Sequence, residues 1–352
     1  MSNNIDKVNS KVNNAFNQIG DLMDDGFLLV DRRGDIQFAN SSAEEFLGKE
    51  LSRRNITEVI KSKDLNISRF LKTDKEIDKE FSFQMDNDLK RSLFIKIKKI
   101  SNELVVILLL DMTLQRNLEK VRRDFVSNVS HELRSPLTSL VGFIETLLSD
   151  KEIDKNSRHK FLKIMDEEAK RMNRLIDDIL SLSKVETEEH ITPSTSISIL
   201  DPIKSVISSL DESGLSKNNK ISLVDKSLNE DRPLYIIGNY DEITQVFTNL
   251  FENAIKYGFE KSDIFVNITK PNGKEVVVEV INEGEGIPTK YLERLTERFF
   301  RVDKARSRKI GGTGLGLAIV KHILIRHRAS LTIDSELNKK TSFKIKFPLI
   351  KH

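Results

Sequence analysis

The chain has 352 residues, enough for two or three domains, and its 38% hydrophobic and 32% charged content is that of a folded protein. Its 57 basic and 54 acidic residues leave a net charge of only +3, which argues against a dedicated nucleic-acid or membrane surface. Cysteine is absent, which excludes disulfides, thiolate metal sites and cysteine nucleophiles.

In chain order, residues 1–15 read as a polar tail with no apolar core, unlike a signal peptide. The most apolar run, 104–110, is closed by Asp111 and is far shorter than the roughly 20 residues a membrane span needs. No transmembrane segment is expected in this chain and a cytoplasmic location is, although a membrane-bearing stretch ahead of it stays open. Residues 16–113 alternate strands and helices. A strand at 27–30, a turn at 31–35 and a returning strand at 36–40 open an antiparallel sheet, which continues at 81–83, 93–97 and 104–110.

From 114 to 187 helical spacing dominates. Leu114, Leu118, Val121 and Phe125 fall at heptad-like steps, and the apolar set continues through Val129, Leu133, Leu137 and Leu140. After a break around 149–157, a second helix carries Phe161, Ile164, Met165, Met172, Leu175, Ile176 and Ile179. Such a hairpin has too little core alone, so a four-helix bundle built from two copies is expected. Residues 188–199 read as a linker, and 200–350 as a mixed α/β domain. Its expected strands are 221–224, 264–268, 276–280 and 343–347, with helices over 241–257 and 316–327. The fold class is thus multidomain α+β.

His131 lies roughly 170° from the centre of the apolar stripe on the first helix. Ser135 and Thr138 share its face, so a solvent-facing imidazole is expected, and by position alone an ordinary surface histidine would serve equally well. The stretch 129–137, V-S-H-E-L-R-S-P-L, resembles the phosphoacceptor motif of histidine kinases, S-H-E-L-R-T-P-L, differing only at Ser135. The chemistry suits these residue types. A neutral imidazole is a good nucleophile near pH 7, and Glu132 is expected to hold its second nitrogen. Pro136 removes a backbone donor and should bend the helix just beyond the site. The resemblance further implies phosphatase chemistry through Glu132 and Ser135.

Four segments in 200–350 point to a nucleotide. Asn249 and Asn253 stand four apart on one helix face, with amide oxygens suited to Mg2+, and Lys256 can add charge towards phosphates. Asn282-Glu283-Gly284-Glu285-Gly286-Ile287 follows a strand, where paired glycines permit close backbone approach to a flat ligand. Arg298 to Asp303 precedes the cations Lys304, Arg306, Arg308 and Lys309, a candidate lid. Gly311-Gly312-Thr313-Gly314-Leu315-Gly316 opens a helix whose free N–H groups suit an anion. Singly, each is equally an amphipathic helix, a turn or a basic loop.

In this order the four segments resemble the N, G1, F and G2 boxes of the Bergerat-type ATPase fold, and 298–323 looks like the PhoR branch of histidine kinases. The resemblance implies ATP and Mg2+ as cofactors. It implies nucleotide binding by Asn249, Asn253, Lys256, Tyr257, Asn282, Gly284, Gly286, Ile287, Arg301, Lys304, Gly312, Thr313, Gly314, Leu315 and Gly316, with Asn249 and Asn253 on the metal. Where the family usually has an Asp that accepts from the adenine amine, this chain has Asn282, so a retuned site is expected. Residues 16–113 resemble a PAS sensor domain. No histidine precedes His131, which excludes histidine-ligated haem there, and the absence of Cys excludes a cysteinyl-flavin adduct.

The combined expectation is a PhoR-like sensor histidine kinase. It would act as a homodimer, phosphorylate His131 from ATP and pass the phosphoryl group to an Asp of a response regulator receiver domain. The PhoR resemblance implies a PhoB-like receiver and the phosphate regulon. Two alternatives stay open from the residues: another Bergerat-fold ATPase, and a scaffold without turnover.

Overall fold

The computed structural model describes residues 20–60, 77–84, 90–101, 103–149, 153–215, 219–225, 234–271, 273–303 and 312–350. The expected polar tail, the lid cations Lys304, Arg306, Arg308 and Lys309, and Gly311 lie outside the described residues. The chain divides into two compact units, residues 1–126 and 127–352.

The first unit holds a five-stranded antiparallel sheet. Its strands are β1 (Gly26–Asp31), β2 (Ile36–Ala39), β3 (Ile77–Gln84), β4 (Lys90–Lys99) and β5 (Leu104–Asp111), in the order β2-β1-β5-β4-β3. Helices α1 (Ser41–Leu47) and α2 (Ile56–Val59) lie between β2 and β3 in the chain, as the sequence indicates. Period-two alternation puts Leu28 and Val30 of β1, Leu93, Ile95 and Ile97 of β4, and Val105, Ile107 and Leu109 of β5 into one core with Phe46 and Ile56. Buried Asn40 starts α1: its Oδ1 accepts from the amides of Phe27 and Ala43, and its Nδ2 donates to the carbonyls of Gly20 and Asp25. At the end of β5, Asp111 Oδ1 accepts from the Thr113 amide at 2.8 Å, and Thr113 Oγ1 accepts from the Ser92 amide at 2.9 Å. The closing triplet 111–113 thereby launches the long helix α3 (Thr113–Ser149).

In the second unit, α3 continues and is followed by α4 (Lys155–Glu188), with Asp154 capping α4 through the amides of Asn156 and Ser157. Phe143 and Phe161 meet across this hairpin at 5.2 Å between ring centroids. Leu137, Val141, Ile144 and Leu148 of α3 and Leu162, Ile176 and Leu180 of α4 stay exposed in the single chain. Part of the expected linker is ordered otherwise: β6 (Ser196–Ser198) pairs with β8 (Tyr235–Ile237), and α5 (Leu200–Glu212) follows β6 directly.

The α/β domain is a two-layer sandwich. Its sheet comprises β7 (Ile221–Asp225), β9 (Ile264–Thr269), β10 (Glu275–Glu283), β11 (Ser330–Glu336) and β12 (Lys340–Pro348), in the order β11-β12-β10-β9-β7. All pairings are antiparallel except β7 with β9. Helices α5, α6 (Tyr240–Tyr257) and α8 (Gly316–Arg326), with α5 packed on α6, and the single turn α7 (Thr289–Leu292) complete it. Ile243, Val246, Phe247, Leu250, Phe251 and Ala254 of α6 meet Val276, Val278 and Val280 of β10 and Phe343, Ile345 and Phe347 of β12 in one apolar layer. Each fully buried Phe contributes about 1.5–3 kcal/mol relative to exposure. This layer fixes α6 and the end of β10, the two elements that carry the candidate nucleotide residues.

Candidate active site

His131 and Ser135 are exposed on α3, as the helical wheel predicts, while Pro136 is buried in the same helix. Glu132 does not turn towards His131. Adjacent residues on a helix point about 100° apart, and the Glu132 carboxylate instead meets two guanidinium groups: Arg171 Nη2 at 3.2 Å and Arg301 Nη2 at 3.3 Å, both to Oε2. The Arg301 side chain is only 5% exposed, and its Nε and Nη1 have no hydrogen-bond partner among the described residues. Burial lowers its pKa, Glu132 raises it and neighbouring Arg171 lowers it again.

Arg301 also borders the glycine-rich turn. A Cβ on Gly314 would lie 3.2 Å from Arg301 Nε and 3.0 Å from the Phe299 backbone. Phe299 and Gly314 both sit at positive φ, +62° and +76°, and the Phe299 amide donates to the Gly314 carbonyl at 2.8 Å. The two ends of the candidate lid are thus stapled to each other, and only glycine meets both the close approach and the left-handed backbone at 314. Helix α8 begins just beyond, at Gly316, with no side-chain cap, so its first N–H groups remain available to an anion. Thr313 is not directed to a ligand here: its Oγ1 donates to Asp178 Oδ2 of α4 at 2.6 Å. Burial raises the Asp178 carboxyl above its ordinary range, against the lowering effect of that bond.

On α6, Asn249 and Asn253 share a face. Asn249 Nδ2 is buried without a hydrogen-bond partner among the described residues, and its Oδ1 lies 3.0 Å from where a Gly316 Cβ would stand. The start of α8 and the Asn249 amide are therefore brought together. Lys256 is held by Glu252 at 2.6 Å, one turn back on α6, so the expected free cation is an ion pair. Tyr257 is exposed at the helix end, and the Ile287 amide donates to Ser335 Oγ at 2.8 Å. Gly284 and Gly286 are required by the protein's own backbone. A Cβ would stand 2.5 Å from the Tyr257 carbonyl at Gly284 and 2.4 Å from the Glu336 carbonyl at Gly286. Asn282 is buried at the end of β10.

Residues 238–351 match the family described as histidine kinase-, DNA gyrase B- and HSP90-like ATPase. Residues 121–188 match the His Kinase A (phospho-acceptor) domain, and residues 14–84 a PAS domain. The phosphate regulon sensor protein PhoR of Pseudomonas aeruginosa is 34% identical over 327 residues, covering 92% of this chain and 72% of that protein. The chain belongs to the sensor histidine kinases of two-component systems. The sensor histidine kinase WalK of Bacillus subtilis is 33% identical over 335 residues, and this chain spans 54% of its length. Among solved structures, the Acinetobacter baumannii histidine kinase AdeS is similar over 63% of this chain and 98% of that one, at 21% identity and a TM-score of 0.49.

The kinase is therefore a protein-histidine kinase that uses ATP. Its phospho-acceptor domain implies a dimer and a response regulator partner. No described helix is long and apolar enough to cross a membrane. For Mg2+, the fit is tested by the donors present. The described residues hold no cluster of three or more His, Cys, Asp or Glu able to take a metal. The Asn249 and Asn253 oxygens are hard and neutral, which fits an ion whose remaining ligands are phosphate oxygens and water.

Several residues of the kinase's second unit escaped the sequence reading. Arg171 and Asp178 on α4 hold Glu132 and Thr313. At the end of α4, Arg298 meets Glu186 at 2.7 Å, and His322 reaches Glu186 and Glu189. Arg326 pairs with Glu188 at 2.9 Å and with Glu242. A run of glutamates at the end of a helix was the available signal, but a charge run is usually a solvated face.

Proposed function

We propose that the kinase transfers the γ-phosphate of Mg-ATP to His131 and passes it to an Asp of a response regulator receiver domain. The observation that carries this reading is the Arg301–Glu132 contact, which ties the edge of the Gly314 turn to the residue beside an exposed His131. In this reading a ring nitrogen of His131 attacks the γ-phosphorus with its lone pair. The N–P bond forms, the bond to the β–γ bridging oxygen breaks, and ADP leaves with that electron pair. The ring proton stays on the second nitrogen until it is lost to water. Arg301 and the N–H groups at the start of α8 would hold the phosphates, and Asn249 and Asn253 would hold Mg2+, which supplies charge neutralisation when bound. Most of the rate gain would come from positioning.

Before transfer, Glu132 would exchange Arg301 or Arg171 for the His131 imidazole. With Ser135 exposed one turn away, the same helix face would position water for dephosphorylating the regulator. The exposed apolar stripes on α3 and α4 would be covered by a second copy in a four-helix bundle. Similarity to PhoR supports a PhoB-like regulator and the phosphate regulon, and a cytoplasmic location for these residues.

Incubation with γ-labelled ATP and Mg2+ tests the reading, beside a His131→Gln variant. Acid-labile, base-stable label on the wild type that is absent from the variant is the expected result. Equal labelling of both chains overturns His131 as the acceptor. A scaffold without turnover rests on Asn282 alone, and wild-type label removes it.

A further inference from the structure

Strand β11 ends the five-stranded sheet of the α/β domain, so one of its backbone edges has no neighbouring strand. Edge strands are commonly guarded by Pro, Lys or a bulge. β11 reads Ser-Leu-Thr-Ile-Asp-Ser-Glu, without Pro or Lys, and its register with β12 runs unbroken from Ser330 to Glu336. The 285–287 stretch covers only the far end of this edge. There the Ile287 amide donates to Ser335 Oγ, and the Gly286 backbone packs on the Glu336 carbonyl. Among the described residues, nothing beyond β12 hydrogen-bonds to 330–334.

A cavity of about 440 Å3 lies along that open stretch, between α7 and α8. Every residue from Ala329 to Ile333 lines it. Successive side chains of a strand point to opposite faces, so a cavity that touches consecutive residues runs along the backbone edge and not beneath one face. Leu292, Leu324 and Ile325 supply apolar lining from the helical side, and Ile325 is 44% exposed. Glu293, just after α7, and Lys321 of α8 stand at the walls, and Asp334 is exposed on β11 just past the cavity. None of these three charges has a hydrogen-bond or ion-pair partner among the described residues. Unpaired carboxylates thus outnumber unpaired ammonium groups around the groove.

We infer that the β11 edge is a docking site for an extended segment of a partner protein, alternately apolar and basic, which joins the sheet as a further strand. The open backbone groups of 330–334 require matching N–H and C=O groups, which a peptide has and a small apolar ligand lacks. A segment of about five residues, ~17 Å long, matches the open stretch. Its alternate side chains fall into the cavity and onto the solvent face. Apolar residues suit the cavity, against Leu292 and Ile325. Lys or Arg suits the solvent face, opposite Asp334, and Glu293 draws a further cation at the rim. Lys321 accommodates one acidic residue. No residue lining the groove is among the proposed ATP ligands, so the site stands independently of the nucleotide reading.

The probe is an end-blocked, fluorescein-labelled peptide, Lys-Val-Lys-Val-Lys-Val, titrated against the full chain by fluorescence anisotropy. Micromolar binding is expected, weakened about 3- to 10-fold by Asp334→Lys and by Glu293→Lys, exposed positions where no native partner is lost. Backbone amides within 330–334 should exchange more slowly with the peptide bound. The same peptide N-methylated throughout keeps its side chains and charge but has no backbone donors, and it should not bind. Absence of binding at about 1 mM peptide overturns the inference. So does equal binding of the N-methylated peptide, unslowed exchange across 330–334, or undiminished affinity in both charge reversals. Self-association of the chain through β11 that excludes the peptide would give the edge to a second copy, and likewise overturns the partner.

Discussion

Arg301 Nη2 stands 3.3 Å from Glu132 Oε2, and Arg171 Nη2 stands 3.2 Å from the same oxygen. One carboxylate thus separates two guanidinium groups with side chains 5% and 14% exposed. Removing its charge leaves like charges facing each other in a partly dry site. Glu132→Gln is expected to destabilise the second unit by about 1–3 kcal/mol, measured by denaturant unfolding. Glu132→Gln combined with Arg301→Met should recover part of that loss, because the double variant leaves Arg171 alone with Glu168, 3.6 Å away. No recovery in the double variant would show that the two side chains are not coupled.

Thr313 and Asp178 make a second tie between α4 and the glycine-rich turn. Asp178→Asn keeps an acceptor for the Thr313 hydroxyl and removes a charge that burial disfavours, so stability should hold or rise. Thr313→Val leaves the buried carboxyl without its donor and should cost about 1–2 kcal/mol. It should also speed hydrogen exchange at Leu315, whose amide donates to Thr313 Oγ1 at 3.3 Å. Unchanged exchange at Leu315 would mean that the turn is held by Phe299 and Gly314 alone.

The strands and long helices were legible because burial enforces period: β5 alternates, and α6 repeats its apolar residues every three to four positions. The edge strand β11 was missed because Ser330, Thr332 and Asp334 are polar, and only its pairing with β12 reveals it. Helix α5 was missed behind Pro202, which occupies a first-turn position where a missing N–H does no harm. Among site residues, exposed His131 followed from one helical wheel. The partners of Glu132, Lys256 and Thr313 did not, because ionic pairing is set by tertiary placement and any of many charges could have supplied it. The glycines at 284 and 286 were recognised as special, but the atoms they make room for lie on distant β11 and its turn and at the end of α6.

His327 gives the second unit a pH dependence with a defined sign. The ring is buried. Its Nε2 accepts from the Asn239 amide at 3.0 Å, so Nδ1 carries the proton and donates to the Ile323 carbonyl at 2.7 Å. Burial depresses its pKa below the ordinary 6.5, and Arg326 depresses it further, while Glu242 stands 3.8 Å away. The unfolded chain therefore takes up a proton, as pH falls through 6.5, that the folded chain refuses. The His327 contribution to stability is full above pH 6.5 and is lost as pH drops from there towards the folded value. His327→Gln, which offers one donor and one acceptor without titrating, should show a smaller fall in Tm between pH 7 and pH 5 than the wild type. Equal falls in both chains would assign the acid sensitivity to other groups, though not to Glu242, whose carboxyl burial raises, so that its protonation favours the folded state as pH falls.

Two glycines at nearly the same backbone angle separate conformational strain from crowding. Gly273 has φ +68° and nothing within 4 Å of a would-be Cβ, whereas Gly286 has φ +72° and would place Cβ 2.4 Å from the Glu336 carbonyl oxygen. Gly273→Ala incurs only the left-handed backbone penalty, about 1–2 kcal/mol. Gly286→Ala adds an overlap with backbone that cannot rotate aside, so either β11 or the end of β10 must shift. The expected loss exceeds that of Gly273→Ala by at least about 1–3 kcal/mol, the usual cost of overpacking, read as a lower denaturant midpoint at constant slope. Because Gly286 stands four residues after Asn282, the shift should also weaken Mg-ADP binding, while Gly273→Ala leaves it unchanged. Equal losses of stability in the two variants would place the Glu336 carbonyl farther from Gly286 than the structure has it.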